Sequence, residues 1–132
     1  MKNLKYKKLL EERREWYKSI EKVYCPILKE YVIFNSKGFH HLRYSDGRAR
    51  TIKEQMYKLG LLPLVIPVIK NSDKIDEYKK TSFNRKEIEY WILREKVGLQ
   101  KTLTKVILRR IGTGNITFYS VMKRGSKKLS ER

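Results

Sequence analysis

Two histidines, His40 and His41, stand side by side in a chain otherwise crowded with lysine and arginine. Imidazole is the side chain that takes up and returns a proton near neutral pH. Arg43, Arg48 and Arg50 follow, and Arg109 and Arg110 come later. Their planar guanidinium groups match the oxygens of a phosphate. Thr117, Tyr119 and Ser120 add hydroxyls that can donate to a phosphate oxygen. A proton carrier, fixed cations and a hydroxyl are the parts needed when a 2′-hydroxyl attacks its own phosphodiester, the cations stabilising the charge that grows on phosphorus. Each residue also has a plainer reading: a solvated arginine, a strand Thr or Ser obeying propensity, a packed and hydrogen-bonded histidine.

Metal chemistry has little to build on. On a strand, adjacent histidines point to opposite faces, so His40 and His41 cannot grip one cation as a His-x-His pair would. That alternation does not say which of the two faces a site. Asp46, Asp73, Asp76 and Glu77 are scattered without a recognisable cation-binding spacing. Cys25 is the sole cysteine, and with two histidines it cannot complete a four-ligand zinc site. No metal or other cofactor is expected. No internal disulfide can form, which fits a reducing compartment.

Charge points to the partner. The 132 residues carry 32 Lys and Arg against 14 Asp and Glu, a formal net charge of +18. The excess is spread along the chain, with 15 basic against 7 acidic groups in residues 1–60 and 17 against 7 in residues 61–132. Such an imbalance speaks to partners rather than to fold, and a phosphate backbone is the matching counter-charge. His40, Arg43, Arg48, Lys53, Arg109, Tyr119 and Lys123 are the candidate nucleic-acid contacts. Tyr44, Tyr57, Tyr90, Trp91 and Tyr119 can stack on unpaired bases, although the alternation around Tyr90 and Trp91 equally suits packing in a sheet. The plain alternative is a soluble basic protein with no such role.

The elements that must position these groups are legible from periodicity. A hydrophobic fraction of 40% argues against disorder, and the length suits one domain spanning 1–132. Residues 3–22 read as an amphipathic helix, with Tyr6, Leu9, Leu10, Tyr17 and Ile20 at helical spacing. Glu30 to Phe34 reads as a strand, Asn35-Ser36-Lys37-Gly38 as a turn, and Phe39 to Tyr44 as the return strand bearing the histidines. Arg48 to Leu59 reads as a second helix, Leu61 to Lys70 as a short buried one with Pro63 in its first turn, and Asp73 to Phe83 as a loop or helical turn. Strands over Glu87–Val97, Leu103–Ile111 and Ile116–Met122 finish the chain before a basic tail at 124–132. The expected class is α+β, with N-terminal helices packed on one face of a four- to five-stranded, mostly antiparallel sheet. The first twenty residues lack the apolar stretch of a signal peptide, and the longest apolar run, Leu59 to Ile69, is too short to span a bilayer. A cytoplasmic protein with no membrane partner is expected.

Four segments carry a family resemblance: VIFNSKGFHHLRY, RARTIKEQMYKLGLLPLVIPVIKNSDKIDEY, EIEYWILREKV and KVILRRIGTGNITFYSVM. Over about residues 23–123 they resemble a phage and mobile-element branch of the barnase–EndoU–colicin–RelE ribonuclease superfamily. The resemblance implies a metal-independent endoribonuclease, often a toxin or mobile-element effector, that cuts tRNA, mRNA or rRNA. An acidic antitoxin or immunity protein is the partner that goes with the toxin reading. By position, His41 looks like the acid–base residue and Arg50 a phosphate ligand. Arg110 and Ser120 look like the cationic and hydroxyl groups of the last strands. Thr117 departs from the pattern, which has histidine just before that Phe. The competing expectation is a non-catalytic RNA- or DNA-binding module of a mobile element or a ribosome-associated protein.

Overall fold

The computed structural model describes residues 3–123, so the expected basic tail at 124–132 lies outside the described residues. Helix α1 (Leu4–Ile20) buries Tyr6, Leu10 and Tyr17 along one side. It stops at Glu21, whose φ of 61° leaves the helical region. Strand β1 (Lys22–Cys25) follows at once and turns back through Lys29 into β2 (Glu30–Ile33), with Val23 and Val32 paired and both buried.

Residues 36–43 depart from the sequence expectation. The return strand carrying the histidines is instead helix α2 (Ser36–Arg43). Asn35 does not make a hairpin turn; its backbone is extended and its side chain accepts from the Gly38 N–H, as an N-cap does. Phe39 and Leu42, three apart, then share a buried helical side. Gly38 lets the helix touch the sheet: a Cβ there would lie 2.5 Å from the Tyr17 hydroxyl and 2.8 Å from the Phe118 carbonyl oxygen. Tyr17 also donates to the Asn35 carbonyl at 2.6 Å, fixing the entry to α2.

A two-strand ribbon, β3 (Tyr44–Ser45) and β4 (Arg48–Ala49), comes next, so Arg48 lies on a strand and not in the following helix. Helix α3 (Ile52–Leu61) begins at Thr51, whose side chain and that of Glu54 form a reciprocal capping box. A single 3₁₀ turn (Leu62–Leu64) leads into α4 (Val65–Asn71). Pro67 falls in the first turn of α4, where a missing N–H costs nothing.

The segment expected as a loop before the last strands contains β5 (Glu77–Phe83), exposed at every position. With no inward-facing side, it lacks the apolar alternation by which strands are read. Asn84 and Arg85, both at positive φ, close it onto β6 (Lys86–Val97) as a two-residue hairpin turn. Strands β7 (Thr102–Ile111) and β8 (Ile116–Lys123) complete the chain.

The fold is α+β, with a six-stranded sheet ordered β1-β2-β8-β7-β6-β5. The strand count exceeds the expected four to five because β1 and β5 join the edges. Only β2 and β8 run parallel, and they pair over just Val32↔Ile116 and Ile33↔Thr117. Helices cover the face that carries Val32, Leu93, Val106, Leu108 and Phe118, all at most 1% exposed. Each such side chain contributes about 1.5–3 kcal/mol by leaving water. Among the described residues, no helix is long and apolar enough to cross a membrane.

Candidate active site

Strand β8 changes character halfway along. Beyond Thr117 it has no strand partner on the β2 side, and helices take over that edge. The buried Lys58 of α3 donates from Nζ to the Val121 carbonyl at 2.8 Å, and the Lys123 N–H donates to the Tyr57 hydroxyl at 2.7 Å. Side chains thus satisfy backbone groups that a neighbouring strand would otherwise pair. The register also slips here: Leu108 faces Phe118 while Ile107 faces Ser120, leaving Tyr119 as an extra residue. Such bulges re-aim side chains. Tyr119 meets both α2 and the open sheet face.

His41 stacks on this tyrosine, ring centroids 4.5 Å apart and planes 25° from parallel. The Arg109 guanidinium lies 4.4 Å from the centroid of the same ring. Tyr90 meets that ring edge-on at 5.7 Å. Thr117 pairs across the strands with Arg109 and donates from its hydroxyl to the Arg109 carbonyl at 3.2 Å. His41, Arg109, Thr117 and Tyr119 line a cleft of about 700 Å³. The first turn of α2, from Ser36 to Gly38, also lines it, together with His40 and the carboxylate-bearing Asp46.

Cations dominate the electrostatics. Burial first, then the charges of Arg50, Lys58 and Arg109, push the His41 imidazole down to about 4, so it is neutral at neutral pH. Arg50 holds the His41 carbonyl through its Nε at 3.1 Å. Burial, aided by the Arg50 charge and opposed by Glu54, pulls the Lys58 ammonium down to about 8. The Arg109 Nε is buried and has no hydrogen-bond partner among the described residues. A neutral imidazole beside an excess of positive charge suits an anion that carries a removable proton.

The structure brings His40, His41, Arg109, Thr117 and Tyr119 to one cleft, with Arg50 directly behind His41. It does not bring the other candidates there. Arg110 points to the helix-covered face, where Nε meets Glu89 at 3.1 Å and a terminal nitrogen meets Glu30 at 3.2 Å. Ser120 is 4% exposed, opposite Ile107 and beyond the bulge. Arg43 donates to Gln55 at 3.3 Å and to the Tyr6 hydroxyl at 3.5 Å. Arg48 and Lys53 are exposed on β4 and α3. Lys123 lies six residues past Thr117, about 20 Å along the strand.

Sequence reading missed Ser36, Lys37 and Asn115 at the cleft and Lys58 behind it. Asn35-Ser36 ahead of Phe39 and Leu42 was a usable signal, a cap followed by two apolar residues three apart. Lys58 carried none, because its burial depends on a strand 63 residues away. Among the described residues, His, Cys, Asp and Glu form no group of three able to hold a metal ion. Compared with family models, with curated proteins and with solved structures, the chain finds no match.

Proposed function

We propose that the protein is an endoribonuclease that needs no metal and cleaves RNA by attack of a 2′-hydroxyl on the adjacent phosphate. One observation carries this reading: His41 and Arg109 are held against the same Tyr119 ring at the wall of one cleft. In the proposed step the neutral imidazole of His41 accepts the 2′-hydroxyl proton as that oxygen bonds to phosphorus. The bond from phosphorus to the 5′-oxygen breaks, and His41 returns the proton to the leaving oxygen. The products are a 2′,3′-cyclic phosphate and a 5′-hydroxyl. Arg109, whose guanidinium lines the cleft, holds the phosphate, and Arg50 adds charge from behind the imidazole. A bound phosphate offsets the cations that depress His41, so its basicity rises when substrate is present. This assignment moves the cationic role from Arg110, which is paired with carboxylates, to its neighbour Arg109.

The test is cleavage of an oligoribonucleotide in EDTA. The wild type is expected to leave 2′,3′-cyclic ends, and His41→Ala to be slower by about 10²–10⁴. Equal cutting of the 2′-deoxy version of the scissile nucleotide would defeat the mechanism. A binding module without cleavage is the second reading, supported by Thr117, which stands where the family pattern has histidine. Salt-sensitive RNA binding with no cut product would select it.

A further inference from the structure

The open sheet face extends past the cleft. Successive cross-strand pairs align Lys22, Ile33, Thr117, Arg109, Tyr90 and Lys79 in one row from edge to edge. Two residues along from this row, Tyr24 and Tyr31 pair across β1 and β2. Alternate strand residues share a face, so both rings stand on the side of the cleft. They are 44% and 51% exposed and meet edge to face at 5.2 Å. The Lys22 ammonium sits 4.6 Å from the Tyr31 centroid. A single exposed ring needs no explanation. Two adjoining rings and a cation, on the face that carries the candidate active site, do.

We propose that Tyr24 and Tyr31 form a stacking platform for an unpaired base next to the phosphate held in the cleft, so that the protein selects single-stranded RNA. This rests on the ribonuclease reading above. Geometry allows the reach: rises of about 3.3 Å per residue and about 4.8 Å between strands put the Tyr31 backbone about 8 Å from that of Thr117, with Tyr24 one strand further. Aromatic rings stack on any base once its face is free, and a duplex keeps its base faces occupied. The row itself supplies Lys22 and Arg109 and no carboxylate, which suits the phosphates on either side of such a base. With a net charge of +18, a polyanion is the occupant that the surface complements.

Affinity for a single-stranded oligoribonucleotide and for its duplex is measured in a His41→Ala background, where the RNA stays intact. Adding Tyr24→Ala and Tyr31→Ala is expected to weaken single-strand binding about 10- to 100-fold and to leave duplex binding unchanged. Tyr24→Phe with Tyr31→Phe keeps the rings and is expected to bind as the parent does. With His41 present, the alanine pair is expected to raise KM and leave kcat unchanged, because the rings lie outside the reacting atoms. Unchanged single-strand affinity in a folded alanine pair would overturn the platform, while cleavage that still depends on His41 would preserve the nuclease reading. Equal losses on single strand and duplex would also overturn it, as would an effect confined to binding an acidic protein. Ring-dependent single-strand binding by a wild type that never cleaves would uphold the platform and remove the nuclease reading.

Discussion

Arg109 and Arg110 are neighbours on β7, yet the two faces of the sheet treat them differently. Arg110 sits on the helix-covered side, reaches both Glu30 oxygens and Glu89, and lies 5.2 Å from the centroid of Trp91. Its charge is neutralised at the rim of the core. Arg109 faces the open side over Tyr119, with its Nε buried and without a hydrogen-bond partner among the described residues, and its charge helps to depress His41. Arg110 is used to close the fold, whereas Arg109 is held near other cations. Asp46 is the one carboxylate lining the cleft among the described residues, and positive charge kept together weakens the folded state until an anion such as phosphate binds. The difference explains why residue type alone could not distinguish the cleft-lining arginine, proposed to bind phosphate, from the carboxylate-paired one.

Exchanging the roles of these arginines is the largest expected effect. Arg109→Ala should lower kcat/KM on an oligoribonucleotide by about 100-fold or more with little change in melting temperature. Similar activity losses from Arg109→Ala and Arg110→Ala would erase the distinction between the faces. Gly38→Ala comes next, expected to destabilise the protein by about 2–3 kcal/mol in urea unfolding, because the Phe118 carbonyl leaves a methyl group no room. Arg110→Ala should cost about 1 kcal/mol through its lost carboxylate and ring contacts while leaving cleavage within a few-fold.

Protonation sharpens the same contrast. His41 has a folded-state pKa of about 4 against an ordinary 6.5, so between those values the unfolded chain binds more protons. Stability should therefore fall as pH drops from about 6.5 to about 4, by less than the whole shift implies because the ring is only part-buried. Unfolding free energies at both ends of that window, in wild type and in His41→Ala, read the effect: the variant should lose that part of the slope. Inorganic phosphate should raise the His41 pKa, followed by NMR titration of the ring. The smallest change is Asn35→Ala, about 1 kcal/mol for the lost cap on α2, with His41 less firmly placed against Tyr119.

The long elements were legible because each repeats its signal. Tyr6, Leu10 and Tyr17 mark α1, and the alternation of Trp91 and Leu93 with Tyr90 and Ile92 marks β6. The short ones were not. Residues 36–43 contain β-compatible Phe, His and Leu, and one cap together with contact to Tyr17 and Phe118 decides for a helix. Strand β5 forms through pairing with β6 and a two-residue turn, with no buried side to announce it.

Local sequence determined the strong positive charge, the α+β class with three long strands at the C-terminal end, and the residue types available for phosphate chemistry. These follow from composition and from periodicities that short-range sterics and burial impose. Tertiary structure alone decided which of them meet. Parallel pairing of β2 with β8 ends after two residues, α2 and α3 fill the vacated edge, and the bulge at Tyr119 turns that ring toward His41 and Arg109. Contacts between positions 41, 109 and 119 depend on strand register and helix docking, which are set by the whole core and not by any one segment.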